Sequence, residues 1–181
     1  MTAWITQLDV QILTWVQENL RGDVWTAIWR FITLFGDKGL FWIVLGLALL
    51  IPRKTRKVAA VALAALVLDF ICTNLVLKNW IARVRPYDAF PQIIALVKES
   101  SFSFPSGHSA ASLACSVVYL KLLPRKAGVP LFVLAILVAL SRIYLCVHYP
   151  SDVVAGALIG AVCALIACWA DRRFRLTERL P

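Results

Sequence analysis

The sequence predicts an all-α fold: a polytopic membrane bundle of about five transmembrane helices, preceded by amphipathic helices at the N-terminus. Hydrophobic residues make up 61% of the 181 residues and charged residues only 16%, against roughly 45–50% and about 25% in soluble domains. Long apolar runs alternate along the chain with short polar or basic stretches. A soluble fold of this size could not bury so much apolar surface, so we expect a lipid bilayer to surround the helices.

The first two helical stretches are predicted to lie at the membrane interface. From Ala3 to about Leu20, apolar residues recur at helical spacing, and polar residues such as Asp9 fill much of the other face. This pattern is typical of an interfacial amphipathic helix. Val24–Phe35 is a second short helix, and its Arg30 disfavours a full crossing. A crossing here would raise the number of spans to six.

Five apolar runs follow a break at Gly36–Gly39, and each is predicted to cross the membrane. The first is short for a hydrocarbon core that asks for about 20 residues. The second contains Asp69, for which we expect a structural role, either protonated or bonded to a neighbouring helix. The runs are Leu40–Ile51, Val58–Leu77, Ser109–Leu123, Val129–Leu140 and Val153–Ala170.

The net charge of +9 is concentrated in basic clusters at one set of helix ends. With five alternating spans the clusters fall on one face, which the positive-inside rule makes cytoplasmic. Their position beside apolar runs favours anionic lipid headgroups, and not nucleic acid, as the partner. The clusters lie within Arg53–Lys57, Lys121–Lys126 and Arg172–Arg179.

Three groups of polar residues fall on the opposite, extracytoplasmic face, each next to the end of a predicted span. They are Lys78 with Arg85-Pro86, then Pro105-Ser106-Gly107-His108, then Ser141-Arg142 with His148 and Asp152. Alternating spans bring the three groups to the same membrane depth. We therefore expect them to form one site.

The residue types in these groups suit a tetrahedral phosphate anion. Lys78, Arg85 and Arg142 are cations beside apolar runs, where basic residues are costly and usually functional. Arginine binds phosphate oxygens in pairs, and lysine adds a point charge. Ser106 and Gly107 open the third span, where free backbone N–H groups and the helix dipole favour an anion.

The chain has only two histidines, and both belong to these groups. Asp152 could orient the ring of His148 and leave its other nitrogen free to attack, while His108 could protonate the leaving oxygen. The acids are too few and too scattered to hold a metal ion. The five cysteines show no paired zinc spacing and are predicted to be buried apolar residues. We therefore expect neither a metal nor a cofactor.

In this order, Lys-x6-Arg-Pro, Pro-Ser-Gly-His and Ser-Arg-x5-His-x3-Asp resemble the three signature motifs of the type-2 phosphatidic acid phosphatase superfamily, and every motif position is matched. The small size and short loops resemble those of bacterial undecaprenyl-diphosphate phosphatases. The resemblance implies metal-independent hydrolysis of a lipid phosphate or diphosphate through a phosphohistidine on His148, with Asp152 orienting the ring and His108 as general acid. It assigns phosphate binding to Lys78, Arg85, Ser106, Gly107 and Arg142.

These expectations define one membrane phosphatase domain over residues 1–181, with interfacial helices (1–35), a transmembrane catalytic core (36–172) and a cytoplasmic tail (173–181). Undecaprenyl diphosphate is the first choice of substrate. Phosphatidylglycerophosphate, phosphatidic acid and lipid A phosphate are alternatives. The same residues would serve a lipid phosphotransferase. Five spans argue against vanadium haloperoxidase chemistry, and intact motifs argue against a non-catalytic lipid-binding or transport protein.

Several residues near the three groups occupy no motif position. Arg83 and Lys98 are predicted to face solvent or headgroups. Asp37 and Lys38 are predicted to form a turn with a local ion pair, with contact to the substrate headgroup as the alternative. The segment Tyr87–Phe104 is predicted to shape the entrance to the site.

Overall fold

The computed structural model describes residues 3–174 and Thr177, and every regular element in this part of the chain is helical. In chain order the elements are α1 (Ala3–Asn19), α2 (Asp23–Thr33), a 3-10 segment (Leu34–Gly39), α3 (Leu40–Leu50), α4 (Arg56–Asp69), a π-helical segment (Phe70–Leu77), α5 (Lys78–Ile81), α6 (Pro86–Ala89), α7 (Gly107–Leu122), α8 (Arg125–Tyr144) and α9 (Pro150–Phe174). The all-α prediction is confirmed. Most of the predicted tail lies outside the described residues.

Four helical segments of the described chain are long and apolar enough to cross a bilayer. They are Asp23–Leu50, Arg56–Ala89, Arg125–Tyr144 and Pro150–Phe174, and they contain four of the five predicted spans. The remaining span corresponds to α7, whose 16 residues fall short of the about 20 that a hydrocarbon core asks for.

Helix α7 lies at the centre of the bundle, in contact with α4, α8 and α9. Its Ser112 and Ser116 are fully buried, and Ser112 accepts a hydrogen bond from Trp42 Nε1 at 3.0 Å. Since its neighbours shield α7 from lipid, the helix needs no apolar outer face. This explains how a short helix with several serines lies inside a membrane bundle.

Helices α7 and α9 pack with their backbones in close approach. A Cβ atom added at Gly156 would lie 2.4 Å from the carbonyl oxygen of Ser106, and one added at Gly160 would lie 2.1 Å from that of Ala110. Only glycine allows this distance. The packing places the N-terminus of α7 directly against the first turns of α9.

Helix α1 presents its apolar stripe outward. Trp4 is 71% exposed and Trp15 56% exposed, whereas Asp9 is only 3% exposed. The predicted amphipathic helix is present, but the side chain of Asp9 faces the protein and not water. An outward apolar stripe with tryptophan residues suits contact with lipid.

The predicted break between α2 and α3 is confirmed. Asp37 has a ψ of 120°, and Lys38 and Gly39 have φ of 48° and 68°, so Asp23–Leu50 is not one continuous helix. A second irregularity follows α4, where Thr73 Oγ1 in the π-helical segment donates to Asp69 Oδ1 at 2.8 Å. Of the two expected alternatives, protonation or a bond to a neighbouring helix, the second is not seen, because the hydrogen bond of Asp69 lies within its own helical run.

Candidate active site

The three sequence groups meet at one end of the bundle because each flanks a helix end on that side. Lys78 begins α5, Arg85 immediately precedes α6, Ser106–His108 open α7, Arg142 lies in the last turn of α8, and Asp152 lies in the first turn of α9. His148 lies in the short connection between α8 and α9. The arrangement matches the convergence that alternating spans predict.

A backbone hydrogen bond joins the second group to the third. The N–H of Ser106 donates to the carbonyl oxygen of Asp152 at 3.1 Å. Ser106 also caps α7, its Oγ accepting from the backbone N–H of Ser109 at 3.5 Å and from Ser109 Oγ at 3.0 Å. A Cβ atom at Gly107 would lie 3.8 Å from Lys78 Nζ. The start of α7 is thus fixed between the first group and the third.

His148 is almost fully buried, and its two nitrogens face different partners. Nδ1 lies 3.7 Å from Asp152 Oδ2, longer than a hydrogen bond, while Nε2 lies 3.4 Å from Arg85 Nη1. A proton on Nδ1, turned towards the carboxylate, leaves the lone pair of Nε2 facing the cations. Nε2 is therefore the nitrogen in position to attack an anion held by those cations.

The environment of His148 favours its neutral form. Burial, reinforced by the positive charges of Arg85, Arg142 and Lys78, holds the pKa of His148 well below its usual range. A neutral imidazole is the nucleophilic form. The ring is therefore in its reactive state at neutral pH.

Two of the three cations are fixed by hydrogen bonds close to His148. Arg85 donates through Nε to the carbonyl oxygen of Ser101 at 2.7 Å and through Nη1 to that of Val147 at 2.7 Å. Lys78 Nζ lies 3.3 Å from Ser101 Oγ. Backbone carbonyl oxygens carry no full charge, so these bonds hold the guanidinium without neutralising it, which suits a site for an anion.

Glu99 contacts the phosphate-binding candidates although the motifs do not include it. Arg142 Nη2 donates to Glu99 Oε1, and Arg85 Nη2 lies 3.8 Å from Glu99 Oε2. Arg142 also donates to Thr33 Oγ1 at 2.6 Å. Glu99 lines the cavity described below, whereas Arg142 does not. The carboxylate of Glu99 therefore lies between Arg142 and the cavity. Nothing in the spacing of the sequence signals this contact.

A cavity of about 730 Å³ joins this polar cluster to apolar side chains, of which Val67 and Phe70 are more than half exposed. Its polar end includes Lys78, Arg85, Gly107, His108 and His148. Its other end is lined by the apolar side chains of Ile43, Leu63, Leu66, Val67 and Phe70. A cavity with one cationic and one apolar end fits an amphiphile with an anionic headgroup.

The segment between α2 and α3 forms part of the cavity wall. Asp37 and Lys38 both line it, which favours the alternative of a contact with the substrate headgroup. A Cβ atom at Gly36 would lie 2.7 Å from His108 Cδ2 and 2.5 Å from Val138 Cγ1. Gly36 therefore allows the backbone to pack directly against the ring of His108.

The prediction that Arg83 faces solvent or headgroups is wrong. Its guanidinium contacts Asp9 at 2.9 Å and Asp152 at 2.5 Å and lies 3.6 Å from the ring centre of Tyr149. The prediction failed because these partners are far from Arg83 in the sequence. Lys98, by contrast, is exposed as expected.

Within residues 3–174, no three histidine, cysteine, aspartate or glutamate side chains come together as a possible metal site. The expectation of a metal-free reaction stays a prediction that needs a measurement.

Comparison with known proteins gives consistent matches. A model of the PAP2 superfamily matches residues 57–175, which include all three groups. The decaprenylphosphoryl-5-phosphoribose phosphatase of Mycobacterium tuberculosis is 36% identical over 165 residues, covering 87% of this chain and 88% of that protein. An undecaprenyl-diphosphatase of Sulfolobus acidocaldarius is 31% identical over 132 residues, covering 72% and 63% respectively.

A solved structure extends the likeness to nearly the whole chain. The transmembrane PAP2-type phosphatidylglycerolphosphate phosphatase from Bacillus subtilis is similar with a TM-score of 0.79 at 29% identity, covering 99% of this chain and 90% of that one. With the apolar helices and the family match, this shows that the chain belongs to the PAP2 superfamily, as a multi-pass membrane protein with lipid phosphatase activity.

Proposed function

We propose that the protein removes phosphate from a lipid phosphate or diphosphate without a metal ion, with His148 as nucleophile. The observation that carries the proposal is the cavity, which joins two histidines and two cations at one end to an apolar lining at the other. The headgroup would occupy the cationic end and the first part of the tail the apolar end.

The reaction has two steps. Nε2 of His148 attacks phosphorus, the bond from phosphorus to the leaving oxygen breaks, and His108 donates a proton to that oxygen. Water then attacks phosphorus, His108 accepts its proton, the bond from phosphorus to Nε2 breaks, and inorganic phosphate leaves. Lys78, Arg85, Gly107 and Arg142 would stabilise the negative charge on the transferred group, with Ser106 holding the start of α7 in place.

A polyprenyl diphosphate is our first choice of substrate, with undecaprenyl diphosphate as the leading candidate. The support is that two of the relatives described above are named for polyprenyl substrates. Phosphatidylglycerophosphate, phosphatidic acid and lipid A phosphate are the alternatives.

We place the site on the extracytoplasmic face, within a single domain over residues 1–181. The support is the distribution of charge: Arg56 begins α4, Arg125 begins α8 and Arg172 ends α9, all at helix ends away from the site. Basic residues at those ends favour a cytoplasmic position for them.

The deciding experiment measures phosphate release by detergent-solubilised protein from undecaprenyl diphosphate, phosphatidylglycerophosphate, phosphatidic acid and lipid A. His148→Ala is expected to lose activity by at least roughly 10⁴-fold, whereas Lys98→Ala, at an exposed position, should match wild type. Wild-type rates in EDTA should be unchanged. An active His148→Ala variant, or EDTA inhibition reversed by added Mg²⁺, contradicts the mechanism.

Two further measurements separate the alternatives. Rapidly quenched wild type should carry acid-labile, alkali-stable label from a phosphate-labelled substrate, and absence of that label contradicts the phosphohistidine. Product analysis with added acceptor lipid distinguishes hydrolysis from phosphotransfer. Tight binding of substrate lipid with no turnover would instead indicate a lipid-binding protein.

A further inference from the structure

The carboxylate of Asp152 is held on both oxygens. Oδ1 accepts from Arg83 Nη1 at 2.5 Å. Oδ2 accepts from Ser103 Oγ at 2.5 Å and from the backbone N–H of Tyr149 at 3.1 Å, and it is the oxygen that faces His148 Nδ1. The carboxylate therefore cannot rotate without breaking contacts from three sides.

Arg83 is itself clamped and is not a mobile surface cation. Its Nη1 also lies 2.9 Å from Ser151 Oγ, its Nη2 donates to Asp9 Oδ2 at 2.9 Å, and its plane stacks on Tyr149 at 3.6 Å. Cation–π stacking and paired contacts fix a guanidinium in orientation as well as position. The backbone assists, because Ala82 has a φ of 47° and ends α5 immediately before Arg83.

Asp9 brings the N-terminal helix into this cluster. It is almost fully buried, and its Oδ1 accepts from the backbone N–H of Ser151 at 2.9 Å. Its Oδ2 accepts from Ser151 Oγ at 2.5 Å and from Arg83. A buried carboxylate requires such partners. Arg83 therefore lies between two acids, Asp9 and Asp152, and Asp152 is the one beside His148.

We infer that Arg83 and Asp9 are positioning residues for the His148–Asp152 pair. Asp9 holds Arg83, and Arg83 holds Asp152 Oδ1 so that Oδ2 stays turned towards His148 Nδ1. The N-terminal helix thereby becomes part of the catalytic apparatus. This inference rests on the proposed function, in which His148 is the nucleophile.

The charge of Arg83 also acts on His148 through Asp152. The charged or titratable groups around the ring are Lys78, Arg85, His108, Arg142 and Asp152, and Arg83 is the further cation bonded to that carboxylate. Removal of a positive charge favours the protonated ring. Loss of Arg83 should therefore raise the pKa of His148 and move the acid limb of the kcat/KM profile to higher pH.

The test compares Arg83→Gln, Arg83→Lys and Asp9→Asn with wild type, using farnesyl diphosphate and dioctanoyl phosphatidate in detergent. We expect Arg83→Gln to lower kcat by roughly 10- to 100-fold, as for other groups that orient an active-site histidine, with little change in KM. Arg83→Lys keeps the positive charge but loses the paired N–H donors of the guanidinium. It should therefore keep the acid limb of the kcat/KM profile at the wild-type pH and have a higher kcat than Arg83→Gln. Glu18→Gln, at an exposed acid of the same helix, is the matched control.

A purely structural role would lower Tm and the folded fraction without moving the pH profile. The inference is overturned if Arg83→Gln keeps the wild-type kcat, or if its loss of activity equals its loss of folded protein with an unchanged acid limb. Since the chain has only two histidines, NMR titration of ¹⁵N-histidine-labelled wild type and Arg83→Gln decides without any assay of activity. A wild type inactive on all four lipids of the deciding experiment contradicts the proposed function, whereas identical titrations contradict this inference alone.

Discussion

The N-terminal region, α1 to the segment before α3, and the bundle of α7 to α9 contribute to the site in different ways. The bundle carries His108 and Asp152 on helices whose backbones are in close contact, and His148 in the connection between α8 and α9. The N-terminal region carries none of the motif residues, yet three of its residues touch them or their partners: Asp9, Thr33 and Gly36. In the proposed mechanism the bundle supplies the reacting groups, and contacts from the N-terminal region would hold them in orientation.

Among the substitutions that test this division of roles between the two regions, Gly36→Ala should have the largest effect. The added Cβ would meet Val138 and His108 at 2.5 and 2.7 Å, so the general acid must move. We expect kcat to fall by roughly 10- to 100-fold and stability to fall by about 1–3 kcal/mol, as for other overpacked sites. Steady-state kinetics and thermal unfolding in detergent measure the two effects.

Gly22→Ala is the matched control for that change. A Cβ atom there would meet its nearest neighbour, Trp25 Cδ1, at 4.0 Å, which is ordinary contact. If Gly36→Ala is as active as Gly22→Ala, the N-terminal region does not constrain His108.

A smaller effect is expected for Thr33→Val. The hydroxyl of Thr33 accepts from Arg142 Nη1, and its loss leaves a buried guanidinium nitrogen without that partner, at a cost of about 1–3 kcal/mol. Arg142 would then hold phosphate less well, so we expect KM to rise roughly tenfold with a smaller change in kcat. Thr26→Val, whose hydroxyl pairs with Tyr144, a residue that fills no specified position of the third motif, should leave KM unchanged. Equal KM values for the two variants would contradict an orienting role for Thr33.

The smallest effect is expected for Glu99→Gln, in the loop between the two regions. Its carboxylate faces Arg85 and Arg142, so we expect it to compete with phosphate for them. Because the side chain is 27% exposed, the pair should contribute only about 1 kcal/mol. Inhibition by inorganic phosphate should then strengthen roughly fivefold in the variant. Unchanged or weaker inhibition would show that Glu99 does not compete.

The two regions also differ in how far the sequence predicts them. Hydropathy located each long helix to within a few residues, and motif spacing brought together His108, His148 and Asp152, because these features are local or follow from alternating spans. The partners of Arg83 could not be predicted, since Asp9 reads as an ordinary polar residue of an amphipathic helix. Likewise, no spacing rule links Glu99 to Arg142, or Gly36 to His108, because tertiary packing alone makes those contacts.

The inward-facing Asp9 imposes an order on biogenesis. Its partners stand 74 and 142 residues further along the chain, and the second of them lies at the start of the last span. During synthesis from the N-terminus, Arg83 is made before Ser151, so Asp9 can gain its full set of partners only after the start of α9 has been made. Until then Asp9 must stay hydrated at the headgroups while the tryptophans hold the helix in the membrane surface. The nascent protein therefore acquires its oriented His148–Asp152 pair only after the first turn of α9 has been made.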